Sequence, residues 1–199
     1  MTPHSRPIIV IHADESCLGN GSEGRNPGGA GALIEVAQGD AIIRRDLFIS
    51  SPDTTNNRMA LCGAIAALAI LSQKGKRYRV RYVSDSQYLV NGMNDWVPSW
   101  KARGWRRKGG RVENVELWKT LDKTASDHDL QWEWVRGHAD HPKNEYADRL
   151  AVRAATHQLH SESAVPSEFD AWLTSTKKFP DYDADIAFAE TVAEIEENR

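Results

Sequence analysis

Three aspartates fall where the chain changes from one element to the next. Asp14 follows the apolar run "PIIVIHA" (7–13), Asp85 follows "YRVRYVS" (78–84), and Asp148 lies one turn inside "NEYADRLAVRAATHQL" (144–159). Carboxylates at such junctions can converge at one edge of a sheet. An oxygen-rich cluster of that kind suits Mg²⁺, which takes few carboxylates, keeps several waters and leaves room for a substrate phosphate. Taken singly, each aspartate also reads as a helix cap or a solvated acid. His138, in the loop "GHADHPKN", has the near-neutral pKa of a proton carrier, and it reads equally as a plain surface residue. A third feature is the run "KARGWRRKGGR" (101–111), with six basic residues, no acid and Trp105, preceded by Trp96 and Trp100. Cations interleaved with indoles suit a phosphate backbone with sugars and bases packed beside it, although such a run is more often just a solvated loop.

The elements that must position these groups can be read from periodicity. "PIIVIHA", "GALIEV" and "AIIRRDLFI" are short, β-branched runs separated by Gly and Asn, which predicts an antiparallel meander. Thr55 or Asn56 caps a helix running through Leu61, Ile65, Leu68 and Leu71. A fourth strand ends at Ser84, a second helix covers "SQYLVNGM", "VENVELWKTLDKTA" is amphipathic, "DLQWEWV" alternates as a fifth strand, and a last helix follows "RGHADHPK". The order predicts an α/β fold with a mixed five-stranded sheet, flanking helices and a basic helical insertion. Trp118, Trp132 and Trp134 are assigned to the core.

Composition bounds the function. With 199 residues, 40% hydrophobic and 27% charged, the chain predicts one soluble domain with an appendage. Cys17 and Cys62 cannot form a disulfide framework, and no run reaches membrane-spanning length, so a cytoplasmic protein is expected. The net charge of −3 is uneven. Residues 160–199 hold ten acidic residues against three basic ones, a net of −7, which leaves +4 on residues 1–159. The body is mildly basic and the tail acidic.

The runs "HADESCLGN", "NPGGAGALIE", "TTNNRMALCGAIAAL", "SDSQYLVNGMNDWV", "WKARGWRR", "VENVELW" and "WEWVRGHADHPKNEYADRLA" occur in the order found in type 1 ribonuclease H. The chain resembles that family over roughly residues 8–156, which predicts a ribonuclease H domain at 1–156 and an acidic C-terminal extension at 157–199. The resemblance implies a ribonuclease H-like fold and hydrolysis of the RNA strand of RNA–DNA hybrids by a monomer that uses two Mg²⁺ ions, with Mn²⁺ as the alternative. Asp14, Asp85 and Asp148 match metal-binding, catalytic carboxylates, and His138 matches a histidine that assists proton transfer or product departure. Two ions about 4 Å apart would clamp the scissile phosphate. Asn20, Asn56, Asn57 and Gln87 match amides that read the minor groove and its 2′-hydroxyls. Thr55, Arg58 and Asn114 resemble a pocket for a DNA-strand phosphate, and Trp100, Lys101 and Trp105 belong to the basic protrusion. Cys17 stands beside the active-site strand, as a hybrid contact or a small buried thiol.

One position breaks the pattern. Where the family carries a glutamate after "TTNNRM", this chain has Ala60. Asn56 and Ala64, one turn away, offer no carboxylate, and Glu15 points to the sheet face opposite Asp14 because neighbouring strand residues alternate. The sequence therefore predicts weakened metal binding and low turnover, restored by Ala60→Glu; the alternative is a hybrid-binding protein without catalysis. For the extension, "DIAFAETVAEIEEN" predicts a helix with Ile186, Ala189, Val192 and Ile195 or Ala193 on one face. It is expected to pack weakly, to be a solvated tail, or to compete with nucleic acid for the protrusion.

Overall fold

The computed structural model describes residues 6–19, 25–39, 41–73, 75–137 and 141–197. Three long strands, β1 (Ile8–Cys17), β2 (Gly28–Gln38) and β3 (Ala41–Ser51), form the antiparallel meander. β4 (Arg79–Ser84) adds parallel to β1, and β7 (Asp129–Trp134) parallel to β4. These are the five strands expected. A sixth comes from the extension: β8 (Val165–Pro166) pairs antiparallel with Arg45 and Asp46 of β3, giving the order β7-β4-β1-β2-β3-β8.

One face of this sheet carries α1 (Asn56–Ser72), α2 (Gln87–Asn91), a π-helical turn (Gly92–Trp96), α3 (Val97–Ala102) and α4 (Val115–Ala125). Thr55 caps α1, its hydroxyl accepting from the Arg58 amide at 3.4 Å. Leu61, Ala64, Leu68 and Leu71 then face Ile9, Ile11 and Ala13 of β1 in the main core, with Trp118 buried beneath α4. The basic insertion is α3 followed by a two-strand ribbon, β5 (Arg106–Arg107) and β6 (Gly110–Arg111). Trp100 and Trp105 pack their inner edges on the same core.

The other face carries α5 (Pro142–His157). It lies in backbone contact with β2 because Gly29 and Gly31 have no side chains. A Cβ at Gly29 would come within 2.3 Å of the Ala151 carbonyl, and one at Gly31 within 2.5 Å of the Ala147 carbonyl. Beside α5, the extension forms α6 (Phe169–Thr176) and α7 (Ala184–Glu197). Phe169 joins Leu33, Tyr146 and Leu150, while Phe188 and Ile195 cover Val10.

Three expectations change here. The inward stripe of α7 is Ala184, Phe188 and Ile195 with Val192 partly buried, and Ile186 is 57% exposed, because two residues along a helix is about 200° of turn and Phe188 takes the inward position. The acidic extension is neither a solvated tail nor a rival for the protrusion. Its carboxylates Asp170 and Asp185 pair with Arg44, and Glu194 with Arg81, on the α5 side of the sheet. Trp134 is 43% exposed rather than in the core, since β7 is the outermost strand. Substituting Phe188→Ala should cost about 3 kcal/mol of stability by opening a cavity under α7. Ile186→Ala should stay within about 0.5 kcal/mol. Urea unfolding of the two variants beside the parent checks both.

Candidate active site and nucleic-acid interface

Strand register brings the first two acids together. In the parallel β1/β4 pair, Ala13 lies opposite Ser84, so the next residues, Asp14 and Asp85, emerge side by side at the same end of the sheet. Glu15 joins them. One carboxylate oxygen from each of Asp14, Glu15 and Asp85 lies within 4.8 Å of the others. Asp14 is 8% exposed; its Oδ1 accepts from the Glu15 amide at 2.6 Å and its Oδ2 from Asn144 Nδ2 at 3.2 Å. Asp148, on α5, comes near enough for its charge to act on Asp14, but among the described residues it lies outside that tight group.

The place of Glu15 corrects the sequence argument. The alternation rule holds: Asp14 points to the α5 side and meets Asn144, and Glu15 points the other way. That other side is the α1 side, where Ile9, Ile11 and Ala13 already face α1. Glu15 and Ala60 line one small cavity together with Asp14 and Ser84. The glutamate is therefore opposite the position where a side chain on α1 would deliver its carboxylate. The sequence carried the signal, since residues 9, 11 and 13 share the face of residue 15.

Crowding of like charges perturbs these groups. Burial, then the charges of Asp85, Glu15 and Asp148, push the Asp14 carboxyl up to about 9. Burial, then Asp85, push Glu15 up to about 8, against the Ser86 hydroxyl that bonds it. Such a set of hard oxygen donors, held together at the expense of their ionisation, fits a hard divalent cation such as Mg²⁺ or Mn²⁺. His12, behind Asp14, is held neutral by burial and by Lys143.

Two features shape the Asp85 side. Gly137 runs so close that a Cβ there would meet Asp85 Oδ2 at 2.2 Å. Trp134 Nε1 donates to the Asp85 carbonyl at 3.0 Å.

The substrate residues expected from the sequence fall into groups. Asn56 and Asn57 open α1, and Asn56 Oδ1 is buried with no protein partner. Gln87 is exposed, two residues past Asp85. Thr55, Arg58 and Asn114 come together as predicted: Arg58 Nη1 donates to Asn114 Oδ1 at 3.3 Å, and Asn114 Nδ2 to the Tyr88 hydroxyl at 3.3 Å. In the protrusion a groove of about 660 Å³ is lined by Trp105, Arg106, Arg107, Arg111 and Lys119, among others. The Lys101 ammonium lies 2.9 Å from Asp122 in a half-exposed pair. Trp100 packs between Trp96, tilted at 43°, and Trp118, edge-on at 70°. The Cys17 thiol is turned to the Thr54 and Asn26 carbonyls, and burial raises its pKa, so it is a weak donor fixing a turn. Asn20 and His138 lie outside the described residues. His141, read as structural, caps α5 through Nδ1, which accepts from the Asn144 amide at 3.4 Å.

A family model described as RNase H matches residues 6–156. The ribonuclease H of Stutzerimonas stutzeri (strain A1501) is 47% identical over 146 residues, which cover 73% of this chain and 89% of that protein. The chain belongs to the ribonuclease H family. Among solved structures, LC9-RNase H1, described as a type 1 RNase H with the type 2 active-site motif, is similar with a TM-score of 0.80 and 48% identity. The match covers 86% of this chain and 82% of that one. LC11-RNase H1, solved in complex with RNA/DNA hybrid, has a TM-score of 0.55 at 20% identity, covering 75% and 98% of the two chains; that likeness is one of fold. The ribonuclease H family is divalent-metal dependent, in keeping with the Asp14, Glu15 and Asp85 set. Among the described residues, no helix is long and apolar enough to cross a membrane.

The raised carboxyl pKa values set a pH dependence. Protonated Asp14 and Glu15 favour the folded state, so without metal their stabilising contribution is complete below about pH 4 and is lost as pH rises through about 8 and 9. Thermal unfolding in a chelator should therefore show the melting temperature falling between pH 5 and pH 9. The fall should be smaller in Asp14→Asn/Glu15→Gln, and millimolar Mg²⁺ should offset it in the parent but not in that variant.

Proposed function

We propose that this chain is an active ribonuclease H that hydrolyses the RNA strand of RNA–DNA hybrids, with Glu15 supplying the carboxylate missing at Ala60. The observation that carries the reading is the convergence of Asp14, Glu15 and Asp85 within 4.8 Å at one end of the sheet, with Glu15 and Ala60 lining the same cavity. It replaces the expectation of a crippled site. A type 1 fold with a relocated glutamate also agrees with the description of LC9-RNase H1 as carrying a different active-site motif.

Asp14, Glu15, Asp85 and Asp148 would hold the metal, read as two Mg²⁺ ions, with Mn²⁺ able to substitute. The ions would supply Lewis-acid chemistry at the scissile phosphodiester and an activated water. The protein's own work is placement and proton handling. Asn144 fixes Asp14 through Oδ2, and Ser86 fixes Glu15. Asn56, Asn57, Gln87 and Asn20 read 2′-hydroxyls along the shallow groove, which separates RNA from DNA. Support for this role comes from the orphaned Asn56 Oδ1, a buried acceptor waiting for a donor. Thr55, Arg58 and Asn114 hold a phosphate of the DNA strand, positioning the duplex without reading its sequence. The groove beside Trp105 and its arginines takes the continuing backbone. His138 carries the proton to the departing oxygen. Residues 1–156 form the catalytic unit of a monomer, and 157–199 extend it.

The test is cleavage of a labelled RNA–DNA hybrid in Mg²⁺. The parent should cleave it, and Glu15→Gln should lower kcat about 100-fold or more, as removal of a metal-holding carboxylate does. Ala60→Glu should bring no gain, because Ala60 is 4% exposed and a new carboxylate there would be buried against Glu15. Full activity in Glu15→Gln, or a large gain in Ala60→Glu, would return the site to the crippled reading.

A further inference from the structure

Glu35 lies in the middle of β2 with no exposed surface. Two cations converge on it: Arg44 Nε is 3.0 Å from Oε1, and Lys143 Nζ is 2.8 Å from Oε2. One buried carboxylate against two cations leaves positive charge in a place where unbalanced charge is costly. The balance comes from outside the residues matched by the family. Asp170 of α6 lies 3.0 Å from Arg44 Nη1, and Asp185 of α7 lies 2.5 Å from Nη2. The Phe188 ring then covers the Lys143 ammonium at 5.8 Å, leaving that lysine 2% exposed.

Lys143 is the second residue of α5, and the next residue is Asn144, which donates to Asp14. His12, one alternation step behind Asp14 on β1, has Nδ1 3.9 Å from Glu35 and its ring 5.2 Å from that of His141, the cap of α5. Glu35 therefore reaches Lys143 and His12 directly, and His141 through His12, all in or against the first turn of α5.

We propose that Glu35 is a positioning residue of the active site: balanced by Arg44 and the acidic C-terminal segment, it holds Lys143 so that Asn144 fixes the Asp14 carboxylate. The inference rests on the reading of Asp14 as a metal-holding, catalytic carboxylate. It gives the extension a role in catalysis at a distance from the substrate. The segment neutralises and seals the anchor of α5.

The experiment uses the full chain with Glu35→Gln, Lys143→Met and the two combined, each checked for folding by circular dichroism. Two quantities are read: kcat and KM on RNA–DNA hybrid in Mg²⁺, and the side-chain amide resonances of Asn144 in metal-free protein. Glu35→Gln should lower kcat about 10-fold with KM unchanged, in the manner of an outer-shell partner. It should also move the Asn144 resonances. The combined variant should lose no more than the worse single one, because the pair acts as a unit. Folded variants with parental kcat and unmoved Asn144 resonances overturn the proposal. If Glu35→Gln does not fold, Asp170→Asn/Asp185→Asn, at two side chains about two-thirds exposed, carries the same test, with kcat falling and KM held. A parent chain that does not cleave hybrid overturns the functional reading instead, and the Asn144 resonances still decide the positioning claim.

Discussion

Everything at this site follows from forcing three carboxyl groups into a space where they repel one another. The parallel register of β1 and β4 sets Asp14 beside Asp85, and β1 runs on through Cys17, so Glu15 is held in the ladder opposite Ala30 rather than released into a loop. Burial makes each charge expensive, and proximity makes the second and third more so. Without a cation the protein answers by keeping Asp14 and Glu15 protonated well above the ordinary carboxylate range. A divalent ion removes the conflict, and Asn144, Ser86 and the close approach of Gly137 hold the acids in place for it.

The fold offers two routes by which a glutamate can reach that point. One starts on α1, at position 60, and reaches down to the sheet end. The other starts on β1, at position 15, and reaches up from the same side. Both positions border a single cavity, and the proposed function has a glutamate at one stand in for a glutamate at the other. Ala60 is then a packing residue of the main core, 4% exposed against Leu61 and Ala64, and its small size leaves Glu15 its room. The same economy of space recurs on the other face, where Gly29 and Gly31 let α5 lie close enough for Asn144 to touch Asp14.

Much of this was legible in the chain. The strand run 78–84 placed Asp85 at its end, while Asp14 stands inside β1, which runs on to Cys17; the polar run before Met59 offered Thr55 or Asn56 as the α1 cap, and the motif order brought Thr55, Arg58 and Asn114 together. The place of Glu15 was misread although the rule applied to it was correct, because alternation was used to separate it from Asp14 and not to ask which helix its own face met. Trp134 was assigned to the core on residue type; only the strand order shows that β7 is an edge. The extension was hidden by its composition. Ten acids suggest solvation, and the cations that receive three of them, Arg44 and Arg81, lie more than 100 residues earlier in the chain, beyond any local pattern. Glu35 was invisible for the same reason, since its partners at 44 and 143 meet only once the sheet and α5 are assembled.

The most direct measurement is calorimetric titration of Mg²⁺ into the metal-free chain and into Glu15→Gln at neutral pH. A carboxylate that shares the cation with Asp14 and Asp85 predicts binding to the parent with release of protons, and affinity at least about 10-fold weaker in Glu15→Gln. Equal affinity and equal proton release in the two proteins would contradict it, and would leave the acid beside Asp14 without a part in the site.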